Sequence, residues 1–366
     1  SHGDRPMASR ASRLVGRRLG RRVGIPGSAT ALVLGAAATR PGDSDPGREA
    51  LIHEVLMPGR LLRRQQLSQG GELQVTAHRA TPAGALPAGW IQEWRVLRFI
   101  PENRSSDLIQ AINRVSIDEF GNQKQHVRHC LLMPYTKSVA SSVLAALELV
   151  AERAAPTDEE PELRILCIGF GGGSVPAFFA EMLPHCRVDV VELEPAVLEA
   201  AEPMGFAPHP RINVYLDDGA KFVHQAVHST GGPHQGLYDA LVIDAYDVEG
   251  NVPSAFTSAG SSFSSALAKG VLRPRGVMVT NLLPSAPLGQ ILQDQAQAMC
   301  SRGDCLSFGI EAEGSGNLLA LHASGAPIRS GSQRQRKAEL FLRLWLAARS
   351  AQKATGCPFS IARLAT

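Results

Sequence analysis

Apolar and polar positions change their period along the chain. Between residues 72 and 117 they alternate. Glu72-Leu-Gln-Val-Thr-Ala-His78, Trp94-Arg-Val-Leu-Arg-Phe-Ile100 and Asp107–Ile117 read as strands. Gly70-Gly71 and Pro101-Glu-Asn-Arg104 mark the turns. This predicts a small antiparallel β domain over residues 47–125. Residues 126–153 then read as a helix, with Leu131, Val139, Val143, Leu144, Leu147 and Val150 on its apolar side.

Beyond Pro156–Pro161 the pattern changes again. Short apolar runs at Ile165–Ile168, Val188–Leu193, Ile212–Leu216, Tyr238–Asp244, Val277–Leu282, Leu306–Ile310 and Leu318–Leu321 predict strands. Helical stretches fall between them at Val175–Leu183, Lys221–Val227, Ser262–Lys269 and Leu288–Cys300. Strands alternating with helices imply an α/β fold with a parallel sheet covered on both faces. The predicted domain spans residues 126–325. Residues 326–366 follow as an amphipathic helix, Gln335–Arg349, and a tail.

Composition describes an ordinary globular chain of 366 residues, 44% hydrophobic and 19% charged. No apolar run reaches the roughly 18 residues of a membrane span. The six cysteines form no CxxC pair, so all six are expected as reduced thiols without a zinc site or a disulfide. The net charge of +3 conceals an asymmetry. Residues 1–40 hold eight arginines and one acid, giving +7, and the remainder is 3 − 7 = −4. A mildly acidic body offers no electrostatic footprint for nucleic acid. The basic, acid-poor start, with Pro41–Pro46 as linker, predicts a leader over residues 1–46. Its composition suits an organellar transit peptide (mitochondrion or plastid), with a secretory signal or a disordered basic tail on a cytoplasmic protein as alternatives.

The candidate chemistry lies at the strand ends. Gly169, Gly171 and Gly173 follow the run Ile165–Ile168, and Ser174 opens the next helix. Glycines let a backbone approach a nucleotide where a Cβ would clash. Glu192 ends the next strand, placed to take both hydroxyls of a ribose. Ser174 stands where a dinucleotide fingerprint needs its third glycine. The G-x-G-x-G spacing instead fits S-adenosylmethionine. Asp218, followed by Gly219, is assigned to the adenine side, and Asp244 to the reacting end. The simpler role for each acid is to cap the helix after it. His224 and His228 have metal-ligand spacing but lack an interposed Glu, and read as a solvated helix face. His126 and His129 read as surface residues.

Four segments together resemble the spermidine/spermine synthase family, within the class I S-adenosylmethionine-dependent methyltransferase superfamily. They are Ile168-Gly-Phe-Gly-Gly-Gly-Ser-Val175, Val190-Val-Glu-Leu-Glu-Pro195, Asp218-Gly-Ala220 and Tyr238-Asp-Ala-Leu-Val-Ile-Asp-Ala-Tyr-Asp247. The similarity is greatest to the methyltransferase-like branch and covers about residues 90–323. It implies a Rossmann-like seven-stranded class I methyltransferase domain behind a small antiparallel β domain, and a possible homodimer. It also implies that Gln110 faces the cofactor and that Tyr246 and Asp247 lie on the substrate side.

The departures from the family pattern concern charge. Aminopropyltransferases carry an acid at the position of Gly172, where it pairs with the free amine of decarboxylated S-adenosylmethionine. Their D-E-F-x-Y-Q-E segment is here Asp118-Glu-Phe-Gly-Asn-Gln-Lys124, with a cation in place of the last acid. A polycationic acceptor is disfavoured by both changes. The resulting expectation is an S-adenosylmethionine-dependent methyltransferase acting on a small-molecule or protein amine, with Asp244 as the catalytic residue. The alternatives are a polyamine aminopropyltransferase using decarboxylated S-adenosylmethionine, and a non-catalytic subunit that keeps the fold.

Overall fold

The computed structural model describes residues 31–34, 55, 58–82, 85–102, 108–125, 131–151, 163–228, 238–247, 250–312, 315–325 and 333–361. A short strand, β1 (Ala31–Leu34), comes first. Strands β2 (Arg60–Gln66), β3 (Glu72–Arg79), β4 (Ile91–Ile100), β5 (Leu108–Ile117) and β6 (Gln123–Gln125) then form an antiparallel five-stranded sheet in chain order. Helix α1 (Pro134–Ala151) follows. It starts later than the pattern predicted, at a proline whose missing N–H costs nothing in a first helical turn.

The second sheet is built from β7 (Leu163–Ile168), α2 (Ser174–Met182), β8 (Cys186–Glu192), α3 (Pro195–Glu199), β9 (Ile212–Leu216), α4 (Gly219–His228) and β10 (Tyr238–Ile243). It continues through α5 (Ser254–Thr257), α6 (Ser262–Lys269), β11 (Leu272–Leu282), α7 (Leu288–Met299), β12 (Cys305–Glu311) and β13 (Leu318–Ser324). Helix α8 (Gln333–Thr355) lies against α1. The strand order is β1-β12-β13-β11-β10-β7-β8-β9. All neighbours are parallel except β13, which runs antiparallel to both β11 and β12.

The central strands carry continuous apolar runs, such as Ile165–Ile168 and Ala240–Ile243, because both faces are covered. Ile165 and Cys167 of β7 join a core with Val139 of α1, Phe178 of α2 and Leu344 of α8. Leu166 and Ile168 point the other way, toward Val223 of α4 and Phe263 of α6. Cys167 and Cys186 are buried free thiols, as the pattern implied.

Three expectations need correction. The seven strands expected in the domain are present as β7–β13, and Ala31–Leu34 adds an eighth, pairing in parallel with Ser307–Ile310 at the β12 edge. That apolar tetrapeptide had been assigned to the leader; the rest of the leader and linker, residues 1–30 and 35–46, lies outside the described residues. Cys300 and Cys305 form a disulfide, with Cα atoms 5.2 Å apart. A short turn brings them within bridging range, which sequence spacing alone did not suggest. The last two strands are also antiparallel to one another, so the sheet is mixed.

The two sheets meet along one face of β5. Ala111, Asn113 and Val115 alternate along that strand and are all buried. A Cβ on Gly205 would lie 2.5 Å from Val115 Cγ2, and Gly205 has φ of +81°. Outside this seam, Ser68 donates from its N and Oγ to Glu194 Oε2 at 2.9 and 2.6 Å. Arg63 pairs with Glu199 nearby.

Gly205→Ala meets both a left-handed backbone and a filled space. It should lower unfolding stability by about 2 kcal/mol. Urea denaturation checks this, and an unchanged midpoint would show that the seam adapts freely.

Candidate functional site

The glycine turn joins β7 to α2. Gly169, Gly171 and Gly173 have φ of +97°, +54° and +73°, a region costly for any residue with a Cβ. Two of them are also crowded. A Cβ on Gly169 would stand 2.2 Å from the carbonyl O of Asp244. One on Gly173 would meet Phe206 at 2.6 Å and Phe170 at 2.8 Å. These rings pack edge to face, with centroids 5.0 Å apart, and pin the turn. At Gly171 no atom lies within 4 Å of a Cβ position, so this glycine faces open space. The turn borders a cleft whose walls include Gln110, Ala111, Tyr135, Gly169, Gly171, Gly172, Ser174 and Asp244.

Glu192 ends β8 and is buried. Its Oε2 accepts from Phe170 N at 2.8 Å and its Oε1 from Glu194 N at 2.9 Å. Each oxygen keeps a second lone pair, as a ribose diol would require. Burial raises its pKa, and these backbone bonds oppose the rise. Asp218 is exposed and accepts from Lys221 N at 2.9 Å. It therefore caps α4, the simpler of its two expected roles. Gly219, next to it, is packed so that a Cβ would meet Ile168 Cγ2 at 2.6 Å.

Asp244 follows β10, half-buried at the floor of the cleft. Its Oδ1 accepts from Asn281 Nδ2 at 2.8 Å. Asn281 Oδ1 in turn accepts from Asn317 Nδ2 at 3.1 Å. Burial raises the pKa of Asp244, opposed by hydrogen bonds from Asn281 and Tyr135. Gln110 O lies 3.3 Å from the Tyr135 hydroxyl and competes with Asp244 for its single proton. Desolvation, with Asp244 close by, pushes the Tyr135 hydroxyl well up. The Tyr246 hydroxyl is buried without a hydrogen bond of good geometry. Its pKa is raised, first by burial and then by Asp244. Asp247 accepts from Asn251 N at 2.8 Å and closes its own loop.

The structure thus brings Gln110, the glycine turn and Asp244 to one cleft, with Glu192 hydrogen-bonded to the turn at Phe170 N. Asp218 and Asp247 make local loop contacts. Tyr135, Asn281 and Asn317 were missed. Asn281 carries a signal of the same kind as the acids, since it is polar and lies near the carboxyl end of an apolar strand. Tyr135 and Asn317 have no local signal. Behind Asn281, Thr280 accepts from Gln295 Nε2 at 3.0 Å. His322 sits between Gln295 Oε1 at 3.1 Å and Ser307 Oγ at 2.8 Å. Burial pushes His322 down to about 3, so it is neutral here and donates through Nε2 to the Gln295 oxygen.

The histidines first weighed for a metal are elsewhere. His224 and His228 stack on α4 at 3.9 Å, and Lys269 contacts the His228 ring. A cation in that position opposes a second one. His126 and His129 lie outside the described residues.

Strand order, glycine turn and acid-tipped strands define a class I methyltransferase fold behind an antiparallel sheet. The relatives match the resemblance carried by the motifs. The human eEF1A lysine and N-terminal methyltransferase is 32% identical over 130 residues, which are 34% of this chain and 18% of that protein. The polyamine aminopropyltransferase of Vibrio vulnificus (strain CMCP6) is 28% identical over 180 residues, 49% of this chain and 56% of that protein. The matches thus span under a fifth and just over half of these two proteins. Among solved structures, human methyltransferase-like protein 13 in complex with SAH has a TM-score of 0.46 at 24% identity, covering 62% of this chain and 93% of that one. No model of a known protein family matches the chain.

The raised pKa of Asp244 has a definite sign. An acid with a higher pKa when folded holds its proton more tightly in the folded state. Its contribution is complete below the unfolded pKa and is lost as pH rises through the folded one. Asp244→Asn keeps an oxygen for Asn281 and removes the titration. Between about pH 4 and pH 7 the variant should lose less stability than the parent chain. Denaturant titrations at the two pH values check this; equal losses would mean that Asp244 is solvated as in the unfolded chain.

Proposed function

We propose that the chain is an S-adenosylmethionine-dependent methyltransferase acting on an amine acceptor. One observation carries the reading: Gly169 touches the backbone of Asp244, so the glycine turn and the acid open into the same cleft. The residues fit the cofactor. Glu192 retains acceptor sites for a ribose, and the space at Gly171 leaves room for backbone approach. Gln110 and Gly172 line the same cleft, beside the room left for the amino-acid tail. The bound sulfonium supplies an activated methyl group. The protein then has to bring an acceptor nitrogen into line.

Asp244 suits that task. It accepts hydrogen bonds from an amine and stabilises the positive charge that grows on nitrogen during transfer. Asn281 fixes the carboxylate, and Asn317 fixes Asn281. Tyr135 and Tyr246 supply hydroxyls beside it. The rival acceptor class, a polyamine, gains less from this site. Asp247 is committed to Asn251 N, and no acid occupies Gly172. The human relative, an eEF1A lysine and N-terminal methyltransferase, supports protein amines as the acceptor class to test first.

Calorimetric titration with S-adenosylmethionine and with its decarboxylated form tests the proposal. Tighter binding of the first is expected. Tighter binding of the second would favour aminopropyl transfer, and binding of neither would leave a fold without the chemistry. Glu192→Ala should weaken binding of the preferred cofactor by about tenfold to a hundredfold, as loss of hydrogen bonds to a charged acceptor does. Unchanged affinity in a folded variant would remove Glu192 from the site.

A further inference from the structure

Gly172 differs from the other glycines of its turn. Gly169, Gly171 and Gly173 are left-handed, and Gly172 is not. Its backbone lies outside the left-handed region that favours glycine. Its surroundings crowd it instead. A Cβ there would lie 2.8 Å from Ala111 Cβ, 3.1 Å from Met204 Cε and 3.2 Å from Asn113 Nδ2. The first of these is a methyl on a strand and cannot swing aside.

Asn113 adds a bond to this contact. It is fully buried, and its Nδ2 donates to Gly172 O at 2.7 Å and to Met204 O at 3.0 Å. Both bonds cross from the five-stranded sheet to the cofactor domain. Ala111 and Gly172 also line the cleft beside Gln110 and Asp244. Glu192 and Asp218 are not part of that wall. The contact therefore acts on the end of the cleft shared with Gln110 and Asp244, where the proposed function puts the cofactor tail.

We propose that β5, through Ala111 and Asn113, is the specificity-determining element of the cofactor site: it keeps position 172 free of any side chain and fixes the turn that meets the cofactor tail. This rests on the S-adenosylmethionine reading above. Asn113 is a positioning residue, acting through Gly172. Glycine at 172 is demanded by the neighbouring sheet and not by the turn. An acid at this position has no room until β5 changes.

The test uses the full chain and two probes, S-adenosylhomocysteine with its amino-acid tail and 5′-methylthioadenosine without one. Asn113→Ala should weaken binding of the first about tenfold and leave the second unchanged. Gly172→Ala should do the same or more. The double variant Ala111→Gly with Gly172→Ala should regain most of the lost affinity, because the nearest obstacle is gone. Thermal melts of all variants run in parallel. Equal weakening of both probes would mean that β5 only supports the fold, and would overturn the proposal. So would a double variant no better than Gly172→Ala alone. If Asn113→Ala fails to fold, the comparison between Gly172→Ala and the double variant decides. Failure of the unaltered chain to bind either probe would instead count against the methyltransferase reading.

Discussion

Gly169 and Asp244 come closer than two ordinary residues can. β7 and β10 are neighbours, and their carboxyl ends converge where the chain leaves the sheet. The contact leaves no space for even a methyl group, since the Asp244 carbonyl fills it. This single exclusion sets how near the glycine turn stands to the Asp244 carboxylate. Asn281, from the next strand, then orients the acid, and Glu192, from the strand on the other side, ties down Phe170. Adjacent parallel strands thus each deliver one polar group to the same end of the sheet, as open α/β sheets do.

The antiparallel sheet is more than a cover. Its β5 strand supplies Gln110 and Ala111 to the cleft wall and presses Asn113 and Val115 into the loop around Met204 and Gly205. Polar contacts at the rim, such as Ser68 to Glu194, add little because they are solvated. The buried bonds of Asn113 matter more, since breaking them strands carbonyl oxygens away from water. The geometry of the glycine turn is consequently shared between two sheets of different architecture.

Much of this was legible in the chain. Runs such as Ile165–Ile168 and Ala240–Ile243 are apolar throughout because alternate residues enter opposite cores, and such runs stand out. The glycine turn stood out too, because left-handed backbone demands glycine. So did the acids at strand ends. What escaped was set by distant partners. Nothing near Gly172 says that Ala111 crowds it. Nothing near Asn317 says that it holds Asn281. The charge difference at Gly172 was visible, while its steric cause lies 61 residues away in sequence, on β5. The reversal of β13 and the pairing of Ala31–Leu34 with β12 are likewise long-range outcomes. The Cys300–Cys305 bridge needed the turn between them to be known.

The insertion of β13 between β11 and β12 has a bearing on synthesis. A ribosome delivers β12 before β13, yet β12 has no place beside β11 until β13 arrives to separate them. The half of the sheet from β9 to β11 can form as the chain emerges. The other half waits until Ser324 is clear of the exit tunnel. During that interval β11 offers an open edge, with the backbone groups of Val277–Leu282 that pair with β13 left free. Translation speed through residues 283–324 therefore governs how long this edge stays available to wrong partners.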